Sequence, residues 1–169
     1  MLSLLVSVFV SQHPVAANPP ADPKLAAVAA IHGEAGPWAL ATGEPQRGSV
    51  VGYRMGAFAL QKLGLPAQSH DLKVLHRSPK TPQFACVADG AQAATGASVG
   101  KLNLALEEAP FEQLQTTFTN AKTGAFITLK PAKAFVARFT NTPREKALEN
   151  GKAVLALKDA EVFEIVAEK

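Results

Sequence analysis

Apolar and polar residues change rhythm part-way along the chain. In the first part, apolar positions recur every three to four residues, the spacing of helices that bury one face. The segment "KLAAVAAIH" (24–32) follows Asp22 as an N-cap, with Pro23 at the first helical position. A glycine- and proline-rich loop, "HGEAGPWALATGEPQRG", comes next. Ser49 then caps "VVGYRMGAFALQKLG", in which Val51, Met55, Phe58 and Leu63 share a stripe and Gly64 stops the helix. "DLKVLHR" (71–77) alternates and predicts a strand, "SPKTPQ" a turn, and "FACVADGAQAAT" (84–95) a helix weakened by Gly90.

Beyond that helix the period falls to two. Residues 102–108, 113–119, 125–130 and 134–139 are read as strands, the second and third joined as a hairpin by "NAKTG". "TPREKALENG" is read as a helix capped by Thr142 with Pro143 first, and "EVFEIVA" as a last strand. Helices plus this run of strands predict an α+β fold: a single domain with an antiparallel-rich mixed sheet packed with helices.

Composition supports a folded core. The 169 residues are 47% hydrophobic and 18% charged, and the net charge is only +3. So mild and scattered a balance gives no footprint for nucleic acid. At the start, an apolar run over residues 2–10 leads to Val15, Ala16 and Ala17. This resembles a secretory signal cleaved after Ala17, although a basic leader is missing. The run is too short to cross a bilayer. Residues 1–17 are therefore read as a signal peptide and 18–169 as the mature domain, periplasmic or secreted, with no membrane span. Cys86 is the sole cysteine, so no internal disulfide can form.

The chemistry centres on "CVADGAQAATGASVGK" (86–101). It is not a phosphate loop. Thr95 stands where the first glycine is required, and Leu102 where the magnesium-binding hydroxyl is required. No nucleotide is expected. Cys86 and Asp89, three apart, share a helical face, and Gln92 drifts round it. Taken alone, Cys86 reads as a small buried hydrophobe. In the loop "IHGEAGPW", His32 and Glu34 lie two apart and can point the same way. His, Glu, Cys and Asp are all metal-ligand types, though more than fifty residues separate the two clusters. Tyr53 and Arg54 offer a hydrogen bond and a charge to an anionic ligand, or else a core tyrosine and a paired arginine. Lys101 and Asn103 are ligand contacts or turn residues on equal terms. His70 is read as a loop side chain and His76 as a strand-surface one, with a place against the Cys86 helix as the alternative for His76. Trp38 is read as packing.

"HGEAGPW…GYRMG" followed by "CVADGAQAATGASVGKLNL" resembles the FmdE-like family of formylmethanofuran dehydrogenase proteins. Its pattern is a His-Gly-His turn, a Gly-Tyr-Arg-Met-Gly helix, and a Cys-x-x-Asp-(Ala/Gly)-x-Gln helix leading to Gly-Lys-x-Asn-(Leu/Ile). The likeness covers residues 25–139 well and the tail "EVFEIV" loosely. It implies an α+β homodimer and a site at His32, Cys86 and Asp89, with zinc the implied metal. The departures are equally plain. Glu34 replaces the second histidine, Ala97 a second cysteine, and residues 42–50 look inserted. One cysteine cannot hold an iron–sulfur cluster, so the formylmethanofuran reaction itself is not implied.

Three functions compete on these residues. The favoured one is an exported metal- or small-ligand-binding domain with a degenerate His/Cys/Asp site. The others are a zinc-dependent enzyme using His32, Cys86 and Asp89, and a structural domain with an inert Cys86. The leader generates the first test. Mass spectrometry of the secreted or periplasmic fraction should find a chain beginning at Asn18; an intact Met1 in the cytosol would defeat the export reading.

Overall fold

The computed structural model describes residues 20–33, 35–36, 49–140 and 142–169. The signal segment, Glu34, Trp38 and most of the 42–50 insertion lie outside the described residues. Two helices open the described fold, α1 (Pro23–His32) and α2 (Val50–Leu63). A strand–helix–strand unit follows, β1 (Leu72–Ser78), α3 (Pro82–Thr95) and β2 (Leu104–Glu108). The hairpin β3 (Gln115–Asn120) and β4 (Phe126–Pro131) leads to α4 (Lys133–Phe139), α5 (Ala147–Ala156), α6 (Asp159–Val162) and β5 (Phe163–Glu168).

The sheet order is β2-β1-β3-β4-β5. β1 and β2 run parallel and every other neighbouring pair antiparallel, so the α+β sheet is mixed. A parallel pair needs a crossover, and α3 supplies it. Val74, Leu104, Phe118, Ile127 and Leu129 point inward, where they join Val51, Met55, Val87 and Ala91 in one core. Helices α2 and α3 lie on that face; α1 packs on α3, and α5 on α2.

The helix starts follow their sequence signals. Asp22 accepts from Lys24 N at 2.8 Å, and Ser49 Oγ accepts from Gly52 N at 3.3 Å. Gly64 ends α2 in the left-handed region, at φ 62°. Two expectations fail. Residues 134–139 form helix α4 instead of a strand. Phe135 and Phe139, both 1% exposed, satisfy an alternating pattern and an i, i+4 helical pattern alike. Pro131 has already closed β4, and burial beside α6 selects the helix. Thr142 does not cap α5 either; its hydroxyl donates to Phe139 O, and a 3-10 turn at Arg144–Lys146 precedes the helix. Gly151 sits inside α5, where a side chain would collide with Ala35 O.

The tightest packing is between α2 and α3. A Cβ on Gly52 would strike the carbonyl oxygen of Val87, and one on Gly90 that of Ser49. The two backbones touch because neither residue has a side chain. Gly52→Ala and Gly90→Ala are each expected to cost about 3 kcal/mol, at the upper end for overpacking. Gly100, where a Cβ meets nothing within 4 Å, is the control. Gly100→Ala should change urea stability by under about 1 kcal/mol.

Candidate functional site

Helix α3 organises the polar centre. Its face toward α1 carries Asp89, and the last turn of α1 carries His32. His32 Nδ1 stands 2.6 Å from Asp89 Oδ2, across 57 residues of sequence. The His32 side chain is 16% exposed and that of Asp89 38%, so the pair sits at the surface's edge, reachable from solvent. An ionised carboxylate only accepts, so Nδ1 donates. In the neutral ring this puts the lone pair on Nε2. Gly33, left-handed at φ 88°, closes α1 directly after His32 by donating to Ala29 O at 2.7 Å.

Cys86 shares the helical face of Asp89 but not its exposure. It is 2% exposed, and its thiol donates to Gln83 O at 3.3 Å. Burial, reinforced by the negative charge of Asp89, pushes the thiol pKa up to about 12. A nucleophile or metal ligand must be a thiolate, which these surroundings disfavour.

His76 is a correction. It is not on the strand surface; it is fully buried between β1, α3 and β3. Nε2 donates to Phe84 O at 3.1 Å, so Nδ1 accepts from the Thr116 hydroxyl at 2.8 Å. Burial pushes its pKa down to about 4, against the raising effects of the Phe84 carbonyl and of Asp89. Both nitrogens are committed, so His76 braces α3 against the sheet.

The other candidates lie apart from this pair. Arg54 donates to Val154 O and Leu155 O and pairs with Asp159 at 2.6 Å, tying α2 to the end of α5. Burial, and then the charge of Asp22, raise the pKa of Tyr53; Asp22 caps the opposite end of α1 from His32. Lys101 Nζ donates to Gln68 Oε1 at 2.6 Å and to Gly96 O at 2.8 Å, closing the far end of α3. Gln92 is half-buried one turn beyond Asp89. Glu34 lies outside the described residues.

A cavity of about 420 Å³ opens where the parallel strands end, lined by Ser78, Lys80, Pro82, Ala85, Leu106 and Glu108 among others. Pro82, Ala85 and Asp89 lie at i, i+3 and i+7 on α3, so one stripe runs from the cavity wall to the His32–Asp89 pair. Sequence reasoning missed this cavity. Its signal was the strand–helix–strand order at residues 71–108, because clefts form outside the carboxyl ends of parallel strands.

The family model described as FmdE, molybdenum formylmethanofuran dehydrogenase operon, matches residues 43–164. The chain belongs to the FmdE family. No curated protein matches it. The FmdE span takes in Tyr53, Arg54, Cys86, Asp89 and the start of the closing strand, but not the His32–Glu34 turn. The match bears out the likeness through the helices and into the tail, and it begins later than residue 25. His32 joins the site through its contact with Asp89.

Does the site fit the metal that the FmdE resemblance implies? Zinc takes three or four thiolate, imidazole or carboxylate donors at about 2.0–2.3 Å. Among the described residues no three His, Cys, Asp or Glu side chains form such a set. Cys86 is turned into the protein, and Asp89 is spent on His32. The described donors do not make a resident zinc centre.

Two measurements follow. In the folded protein a thiol reagent at neutral pH should leave Cys86 unmodified, and should react once urea unfolds the chain; rapid native labelling would contradict the burial. For His76, the unfolded ring titrates near 6.5 and the folded one near 4. Between these values only the unfolded state takes the proton, so stability falls as pH drops from about 6.5 to about 4, by about 3 kcal/mol. Urea midpoints across that range should fall less steeply in His76→Gln than in the native chain.

Proposed function

We propose that this FmdE-family chain is an exported small-ligand-binding domain whose recognition centre is the His32–Asp89 pair. The observation that carries the reading is the 2.6 Å contact between two side chains from separate helices, partly open to solvent. A carboxylate-oriented imidazole is held in one tautomer and one orientation, which gives the pair a fixed polar geometry for a ligand to recognise. The cavity walled by Ala85, one helical turn before Asp89 on α3, would receive the rest of a small molecule. The apolar leader supports export.

A second reading, a zinc-dependent site, has one specific point in its favour. A carboxylate accepting from the far nitrogen of a histidine is the usual outer partner of a zinc-bound imidazole. Its weakness is the donor count, since carboxylates serve zinc less well than thiolate and imidazole.

The test is a thermal-shift screen of small polar compounds on native protein, His32→Gln and Asp89→Asn, with a zinc titration beside it. Compounds that raise the native Tm by several degrees, and neither variant's, support the proposal. A screen in which no stabilisation depends on His32 defeats it. Native zinc binding should be weak, and Glu34→His should strengthen it by restoring paired imidazoles. Tight native zinc binding lost in Cys86→Ser would transfer the assignment to the zinc reading.

A further inference from the structure

The opposite face of the sheet carries a feature unrelated to the His32–Asp89 centre. A cleft of about 270 Å³ lies across β2, β1 and β3. Lys73, Leu75, Ala105, Thr117 and Thr119 alternate with the core residues of their strands, so they belong to the face away from α2 and α3. The volume is several times that of a water molecule, enough for a small organic ligand.

Asn103 also lines this cleft and is only 4% exposed. Its Oδ1 accepts from Ser98 N at 2.9 Å, which fixes the orientation of the amide. Its Nδ2 is buried and meets no hydrogen-bond partner. A buried donor without an acceptor is costly, and few are left so in a folded protein. The rim adds a cation. Lys73 Nζ makes one bond, to Leu102 O at 3.3 Å, and an ammonium group has three donors. Leu102 itself is 83% exposed and holds a left-handed backbone at φ 55°, uncommon for a residue with a Cβ. The loop enforces that geometry, with Leu102 N bonded to Val99 O at 2.9 Å and Asn103 N to Ser98 O at 3.4 Å. The outcome is an apolar lip beside an ammonium with donors to spare, over an amide N–H that is buried in the cleft wall and unpaired.

We propose that this cleft is a second binding site, for a small carboxylate with a short apolar tail. Asn103 Nδ2 and Lys73 Nζ receive the carboxylate, and the tail lies against Leu75, Ala105 and Leu102. A carboxylate suits the site because it brings acceptors alone, the rim carries a cation, and the wall covers an unpaired N–H that the ligand would uncover by displacing the Leu102 turn.

Sodium butyrate is the probe, titrated into ¹⁵N-labelled protein at matched sodium chloride. Saturable shifts are expected in the Asn103 side-chain NH₂ signals and in the Lys73, Ala105 and Thr117 amides. Lys73→Ala should weaken the fitted Kd about tenfold. Asn103→Asp should abolish binding, because it keeps the acceptor for Ser98 N and removes the donor. Should Asn103→Asp fail to fold, Lys73→Ala alone decides. No saturable shift in the native chain overturns the proposal. So do shifts centred on His32 and Asp89, or titrations of Lys73→Ala that match the native chain.

Discussion

Everything in the helical layer depends on how close α2 and α3 come. Gly52 and Gly90 each lie against the other helix's backbone, so the separation is set by main-chain atoms. Larger residues there would lift α3 from the sheet, and the consequences run along its whole length. His76 could no longer reach Phe84 O and Thr116 together. The face of α3 that meets α1 would move too, and with it the contact between Asp89 and His32. A positioned site tolerates errors of only about 0.5 Å, so the contact between backbones is a condition for the polar pair beside it.

Helix α3 then divides its polar groups by depth. Cys86 and Asp89 share a face, yet one is 2% exposed and the other has a side chain 38% exposed. A thiol can stay neutral, so burial costs it little and merely pushes its pKa to about 12. A carboxylate cannot be buried so cheaply, and it stays at the edge with an imidazole partner. The same negative charge acts on Cys86 and His76 from one place, raising both pKa values, while burial opposes it at His76 and reinforces it at Cys86. One aspartate therefore shapes the electrostatics of this half of the helix.

What the sequence disclosed and what it withheld follow the range of the interactions. Local signals were legible: the Asp22 and Ser49 caps, Gly64, the hairpin at "NAKTG", and the shared face of Cys86 and Asp89. So were the family motifs from Tyr53 to Asn103. The failures arise where two patterns coincide, as with Phe135 and Phe139, or where tertiary contact decides. Nothing near Arg54 announces a partner a hundred residues away at the end of α5. Alternation along β1 sets His76 on the face of Leu72 and Val74, and a place against the Cys86 helix is the alternative that the sequence leaves open. Only the contacts with Phe84 and Thr116 decide for it. The His32–Asp89 meeting was legible only through the resemblance, because 57 residues separate its members.

The parallel pair explains why one unit carries two clefts. In an otherwise antiparallel sheet, β1 and β2 place their carboxyl ends together and their amino ends together. The crossover must leave at one end and return at the other, so both ends of α3 become chain reversals. At the carboxyl end the reversal from Ser78 to Pro82 walls the larger cavity, with Glu107 and Glu108 beside Lys80. At the amino end the return through residues 96–103 lifts Leu102 outward and leaves Asn103 buried with a spare donor. Hairpin loops of about two to five residues, such as the one joining β3 and β4, leave no such room. The clefts thus follow from topology, and their opposite polarity from the residues at each end: carboxylates where the strands finish, Lys73 and Asn103 where they begin.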